Sequence, residues 1–287
     1  MDKHLLLTVG DDLNSLYGVR FAGSFFTAKQ ALSLTMLYVA PRFETMDRRE
    51  DQQFHQMDRK LAAVYLEKGK AAIQASVKHL AARGFQEKKI HSLVFTKRYG
   101  TVQDIILEGR KGNYDAVVLG RRGFALFEKA FYTSVSRAVL ERDVSFPLWI
   151  CRRPEEGRRN VLLCVDESEA SLRIADHVGF MLEEEEHSVT LFHVDDGEGK
   201  DAAAVIEPAR QALLANGMPE ARILTRVAHK PNVVKAILEE VEQGGYAAVA
   251  VGKGGVRPKS RFKNWMIGSR STNLLELLEK AALWVSR

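Results

Sequence analysis

Two cysteines in 287 residues leave little scope for disulfide or thiolate chemistry. Cys151 and Cys164 sit in apolar runs, LWIC and VLLCVD, with no CxxC and no histidine at metal spacing. Both are expected to be buried free thiols. No apolar stretch approaches the ~20 residues of a membrane span. MDKHLLLTVG has no small-residue cleavage site, so it reads as a first strand and not as a secretory leader. A cytoplasmic location is the expectation. The sequence contains neither GxxxxGK followed by Ser or Thr, nor GxGxxG; GKGGVR has Arg257 where the last glycine would fall. A P-loop NTPase and a dinucleotide dehydrogenase are therefore disfavoured. The excess of basic over acidic residues is also small: the net charge of +5 falls well short of a nucleic-acid-coating composition.

Apolar residues make up 46% and charged residues 28% of the chain, which suits globular domains with cores of their own. Tyr114 to Arg152 and Tyr246 to Arg287 look like copies of each other. The first reads YDAVVLGRRG, TSVSRAVLE and FPLWICR; the second reads YAAVAVGKGG, GSRSTNLLE and AALWVSR. Self-similarity on this scale implies duplication.

Short apolar runs alternate with helical periodicity in both halves. Strands are expected at 5–9, 32–39, 90–95, 116–119 and 148–151, and again at 161–165, 189–194, 223–227, 247–251 and 283–285. Helices are expected at 17–30, 102–111 and 134–141, with a long one ending near Arg83 and led by an amphipathic arm containing Phe43, Met46, Phe54, Met57 and Leu61. In the second half they are expected at 169–182, 202–215, 233–243 and 273–279, with Ser168 capping the first. The acidic run Glu183–Glu186 reads as a solvated helix end. Alternation of this kind predicts an α/β fold: two tandem doubly wound domains, each a parallel sheet covered by helices on both faces. The polar segment RRPEEGRR, 152–159, is the natural linker, giving domains 1–152 and 160–287.

Ligands of open parallel sheets bind beyond the C-terminal strand ends, where strand order reverses. In the second half, Asp166, the glycines Gly252, Gly254 and Gly255, and the Gly268–Ser269 pair are expected to converge there. Glycines let backbone N–H groups approach an anion, and a helix start adds donors and positive partial charge. An Asp or Ser beside a helix start also serves as a cap, and a glycine pair after a strand also makes a tight turn.

The order strand, Asp, helix, Gly-x-x-Gly, spacer, Gly-Ser and final strand resembles the universal stress protein domain. The likeness runs over nearly the whole chain as two tandem domains, strongest in VLLCVDESEAS, in LGRRG with TSVSRAVLERDVSFPLWICR, and in VGKGG with GSRSTNLLE. It implies an adenine nucleotide alpha hydrolase-like fold with five strands per domain. It also implies ATP as cofactor in members that bind nucleotide, with Mg only alongside ATP. By resemblance, Asp166 and Val194 would hold the adenosine, and Gly252, Gly254, Gly255, Gly268 and Ser269 the phosphates.

The second spacer has twelve residues, Val256 to Ile267, where the family has nine; it carries Arg257, Lys259, Arg261 and Lys263, as a basic flap or a solvated loop. The first half departs further. Gly10 stands where the Asp belongs, next to Asp11 and Asp12, and the polar pair is Thr133–Ser134, whose Thr Cβ would crowd a phosphate. Gly120, Gly123 and Ser134 are its weaker equivalents, and the first site is expected to be degenerate.

Three function classes stay open: a nucleotide-binding regulatory module with slow or no hydrolysis, a scaffold without ligand, and an adenylyl- or phosphoryl-transfer enzyme. The last lacks the Ser-Gly-Gly loop such enzymes carry after the first strand. The partner expectation is an adenine nucleotide, with no membrane and no nucleic acid, and the Phe43–Leu61 arm as a protein-facing surface. The strands holding Trp149 and Trp284 should be sheet edges, which are normally covered, so they are expected to pair as an internal pseudo-dimer. The alternative is that each Trp packs within its own core. A homodimer also stays open.

Overall fold

The computed structural model describes residues 2–10, 16–43, 52–120, 144–151, 153, 155–195, 197, 201–252, 278 and 280–286, with backbone only for 52–55. The chain divides into two compact units, Met1–Gly23 with Lys29–Val144, and Ser24–Ala28 with Ser145–Arg287.

In the first unit, strands β1 (Lys3–Thr8), β2 (Leu32–Ala40), β3 (Ile90–Thr96) and β4 (Ala116–Gly120) form a parallel sheet in the order β3-β2-β1-β4. Helices α1 (Tyr17–Phe25), α2 (Gln52–Ala81) and α3 (Thr101–Lys111) connect them. Leu5, Leu6 and Leu7 of β1 and Val117 and Val118 of β4 are fully buried, as strands covered on both faces must be.

The second unit holds β5 (Leu148–Cys151), β6 (Val161–Cys164), β7 (Val189–Asp195), β8 (Ile223–His229), β9 (Ala248–Gly252) and β10 (Ala282–Ser286), in the order β5-β10-β9-β6-β7-β8. Helices α4 (Glu169–Leu182), α5 (Ala202–Ala215) and α6 (Val233–Gly244) link its strands. All pairs are parallel except β5 with β10. The doubly wound α/β class follows from this order.

The two repeats superpose residue by residue in hydrogen-bond register. Leu5 pairs with Leu34 and Ala116, and Leu34 with Ile90. Val161 pairs with Val189 and Ala248, and Val189 with Ile223. Single bonds repeat too: Val9 N–H donates to Leu37 O at 2.9 Å, and Val165 N–H to Phe192 O at 2.9 Å. This register aligns Gly10 with Asp166, Tyr38 with His193, Ala40 with Asp195, Thr96 with His229 and Gly120 with Gly252.

One corner is also duplicated, where α3 enters β4 and α6 enters β9. Tyr114 OH donates to Glu108 at 3.3 Å, and Tyr246 OH to Glu240 at 2.8 Å. Asn113 and Gly245 both turn the chain through left-handed φ, 51° and 60°. A Cβ on Gly112 or Gly244 would strike the tyrosine ring two residues on. Burial pushes the Tyr246 hydroxyl up to about 12, and raises Tyr114 as well.

Strand β5 ends the first repeat in sequence but packs in the second unit. Trp149 lies opposite Trp284 across the antiparallel ladder, with the rings stacked at 3.8 Å and 5°. Phe25 meets Trp284 edge-on and Phe26 stacks over Trp149. Trp149 Nε1 donates to His177 Nε2 at 3.0 Å. The two expected edge strands therefore pair with each other.

The acidic run corrects its sequence reading. Glu183, Glu184 and Glu186 are exposed, but Glu185 is buried and accepts from Thr27 N–H (2.8 Å), Thr27 Oγ1 (2.5 Å) and Ala28 N–H (3.2 Å). A buried carboxylate is tolerable only when bonded in this way. His187 Nε2 beside it donates to Phe25 O at 2.8 Å. Both cysteines are free and buried, as expected, and burial raises both thiol pKa values.

His177 must be neutral to accept from Trp149, and burial lowers its pKa to about 3 from 6.5. A lowered histidine pKa means the unfolded chain binds the extra proton first. The contribution is complete above pH 6.5 and is lost as pH falls toward 3, at about 1.4 kcal/mol per pH unit. Urea titrations at several pH values should show His177→Gln, which keeps an acceptor, losing that one-proton slope relative to wild type. Trp149→Ala should lower stability by about 3–5 kcal/mol in the same assay.

Candidate functional site

Strand order in the second unit reverses between β6 and β9. From β6 the chain proceeds to β7 and β8, then returns through α6 to β9 on the other side. The crevice beyond these two strand ends is where an α/β sheet accepts a ligand. Asp166 and Gly252 stand at it, and α4 starts from it.

Asp166 is braced. Its Oδ1 accepts from Ser168 N–H at 2.9 Å and Ser168 Oγ at 2.5 Å, while its own N–H donates to Ser171 Oγ at 3.0 Å. Ser168 Oγ accepts from Ser171 N–H at 3.1 Å, the cap expected from sequence. Serine side chains at this position satisfy donors that the first helical turn would otherwise leave open. Among the described residues no donor reaches Asp166 Oδ2, and the residue is only half-buried.

Gly252 has a packing role. A Cβ built on it would lie 2.4 Å from the Ala170 carbonyl carbon and 2.6 Å from Ser171 N, so the glycine lets β9 meet the first turn of α4 backbone to backbone. Gly252 stands where an anion contact is expected from sequence, and its missing side chain also makes room for this close approach.

Val194 is placed by the two-residue period of a strand. Phe192 O faces β6, since it accepts from Val165. Two residues on, the Val194 amide and carbonyl face the same side, beyond Cys164, the last residue of the β6–β7 ladder. One donor and one acceptor thus point toward the loop carrying Asp166.

Sequence reasoning missed three neighbours. Asp195 Oδ1 accepts from Gly197 N–H at 2.9 Å, and Oδ2 meets His229 Nδ1 at 3.1 Å. The Gly197 amide, then His229, hold the Asp195 carboxyl below its usual range. His193 is buried with Nδ1 at 3.1 Å from Val165 O. The signal was available: residues at the ends of adjacent parallel strands share an edge, and Asp195 directly follows Val194.

The first repeat presents Gly10, Ala40 and Thr96 at the aligned positions, with Gly120 ending β4. Gly254, Gly255, Gly268 and Ser269, and likewise Gly123 and Ser134, lie outside the described residues, as do the helices expected at 134–141 and 273–279. Among the described residues no group of three or more His, Cys, Asp and Glu side chains could hold a metal ion, and no helix is long and apolar enough to cross a membrane. A groove of about 760 Å³ is lined by Leu172, Arg173, His177 and Phe180 of α4, by Pro208 and Gln211 of α5, and by Ser286 at the end of β10.

Comparison with known proteins places this geometry. The model of the Universal stress protein family matches residues 1–152 and again 157–285. Among solved structures, a putative universal stress protein from Pseudomonas aeruginosa is 15% identical, covers 99% of this chain and 92% of its own, and has a TM-score of 0.53. A functionally unknown protein from Pseudomonas aeruginosa is 12% identical over the same shares, with a TM-score of 0.49. A universal stress protein in complex with cAMP is 18% identical, covers 45% of this chain and 95% of its own, and has a TM-score of 0.35. No curated protein matches the chain.

Replacing Gly252 by Ala forces a methyl into the Ala170–Ser171 backbone. The expected cost is about 1–3 kcal/mol, read as a lower urea midpoint at unchanged slope.

Proposed function

The chain belongs to the universal stress protein family, and from that premise we propose that its second domain binds ATP or a related adenine nucleotide and works as a regulatory module with slow or absent hydrolysis. The observation that carries this reading is the difference between two otherwise matching sheet edges. In the second repeat the switch point has Asp166, with Asp195 and His229 beside it; the aligned positions in the first are Gly10, Ala40 and Thr96. Structural need alone would equip both edges alike.

The roles follow from chemistry. Asp166 Oδ2 is the acceptor for a ribose hydroxyl, and bracing of Oδ1 fixes the carboxylate before any ligand arrives. The Val194 amide and carbonyl offer the donor–acceptor pair that an adenine edge requires. Gly254, Gly255, Gly268 and Ser269 are the proposed phosphate contacts, with Mg accompanying ATP and not held by the protein alone. The first domain, with its degenerate edge, supports folding and not nucleotide binding. A cytoplasmic setting goes with this reading.

A second reading has its own support: the Asp166–Ser168–Ser171 brace and the packing of Gly252 are sufficient for folding without a ligand. It makes the chain a scaffold. Calorimetry with ATP and Mg separates the two. The binding module predicts one site per chain, lost in Gly255→Asp. Asp166→Asn keeps the Oδ1 brace but removes charge, and should weaken binding roughly tenfold, the worth of one charge-assisted bond. No heat with wild type, and no adenine nucleotide released on denaturing the purified protein, would leave the scaffold reading standing.

A further inference from the structure

Helix α2 spans thirty residues, about 45 Å, but only its second half is packed. Gly69, Ile73, Ser76 and Leu80, spaced by four, three and four, are buried, with Gly69 against the Tyr38 ring of β2. From Gln56 to Lys68 no residue is buried. A helical segment of this length has little stability without a packed face.

That stretch nevertheless carries an apolar seam. Met57, Leu61 and Val64 are 66%, 37% and 49% exposed, at spacings of four and three. Lys68, Ala71 and Ala75 continue the same spacing and are exposed too. The pattern is a heptad, with Leu61 and Lys68 at a, and Met57 and Val64 at d. Its seam lies roughly 120° around the helix from the Ile73 stripe, at 100° per residue. Lys60 and Glu67 occupy the g positions beside it, both exposed.

We propose that this seam docks antiparallel against the same seam of a second copy of this chain, about a two-fold axis passing between Ala62 and Ala63. In that arrangement Leu61 meets Val64 of the second copy, and Met57 meets the aliphatic stem of Lys68. Lys60 faces Glu67 across the axis twice, once from each side. Parallel pairing is worse on every count: Lys68 would face Lys68 within the seam, and Lys60 and Glu67 would face Tyr65 and Ala72. Charge pattern and register thus agree on one partner and one orientation. The patch from Met57 to Lys68, about 17 Å long and 10 Å wide, is smaller than the ~800 Å² per partner of standard interfaces, so the dimer is weak and reversible.

Sedimentation equilibrium of the full chain, from ~1 to ~300 µM, tests this. Wild type should show a monomer–dimer equilibrium that Leu61→Glu abolishes; Leu61 is exposed in the monomer, so circular dichroism and urea midpoint should stay at wild-type values. Lys60→Glu and Glu67→Lys should each weaken association by about fivefold, and the double reversal Lys60→Glu/Glu67→Lys should regain it. The Leu61→Cys/Val64→Cys protein should cross-link between copies under mild oxidation. A monomer throughout the range, a dimer indifferent to Leu61→Glu, or a double reversal no better than the singles overturns the proposal.

Discussion

A strand buried on both faces can place polar groups only at its ends, and this constraint organises both repeats. Strands β4, β6 and β9 are apolar throughout, and β1 is apolar between its polar ends, because nothing along the middle of these strands can reach water. Each sheet therefore has two polar edges. At the edge where strands begin, the repeats match: a Glu–Tyr bond, a glycine that clears the tyrosine ring, and a left-handed residue between them. At the edge where strands end, they part company. One edge is fixed by the demands of chain reversal, and the other is free to differ.

This division lets the same residues serve structure and, in the proposed nucleotide reading, the site as well. The loop after β6 must turn into α4, and the first turn of that helix needs acceptors for its amides. Ser168 supplies one, and Asp166 holds Ser168 in place. The result is a carboxylate whose orientation is set by one oxygen while no donor among the described residues reaches the other. Preorganisation of this kind lowers the entropy lost on binding. Gly252 contributes by letting the β9 backbone approach the first turn of α4.

Much of this was legible in the sequence, and the reason is local. The α4 limits, Glu169 to Leu182, follow from a cap and an apolar stripe of Ala170, Ile174, Val178 and Met181, all encoded within a few turns. The pairing of the Trp149 and Trp284 strands was legible because identical edges seek cover. What was hidden depends on contacts far apart in sequence. Glu185 belongs to an acidic run, and only the docking of Thr27 and Ala28, some 158 positions away, turns it into a buried acceptor. His177 gives no sign in sequence that a tryptophan will donate to it. Asp195 and His229 were within reach from their places at the ends of adjacent strands, and the register of β7 with β8 then brings them face to face.

The antiparallel union of β5 and β10 follows from duplication itself. Two copies of one strand can face each other about a local two-fold axis only if they run in opposite directions. The axis then falls on equivalent residues, here Trp149 and Trp284, flanked by Leu148 opposite Val285 and Ile150 opposite Leu283. Both indoles necessarily emerge on the same face, where Phe25, Phe26 and His177 enclose them. A parallel arrangement would offset the rings and leave one edge uncovered. The same symmetry argument, moved from strand to helix, governs the seam of α2: a self-complementary surface closes on its copy only when opposite charges fall on opposite sides of the axis, as Lys60 and Glu67 do.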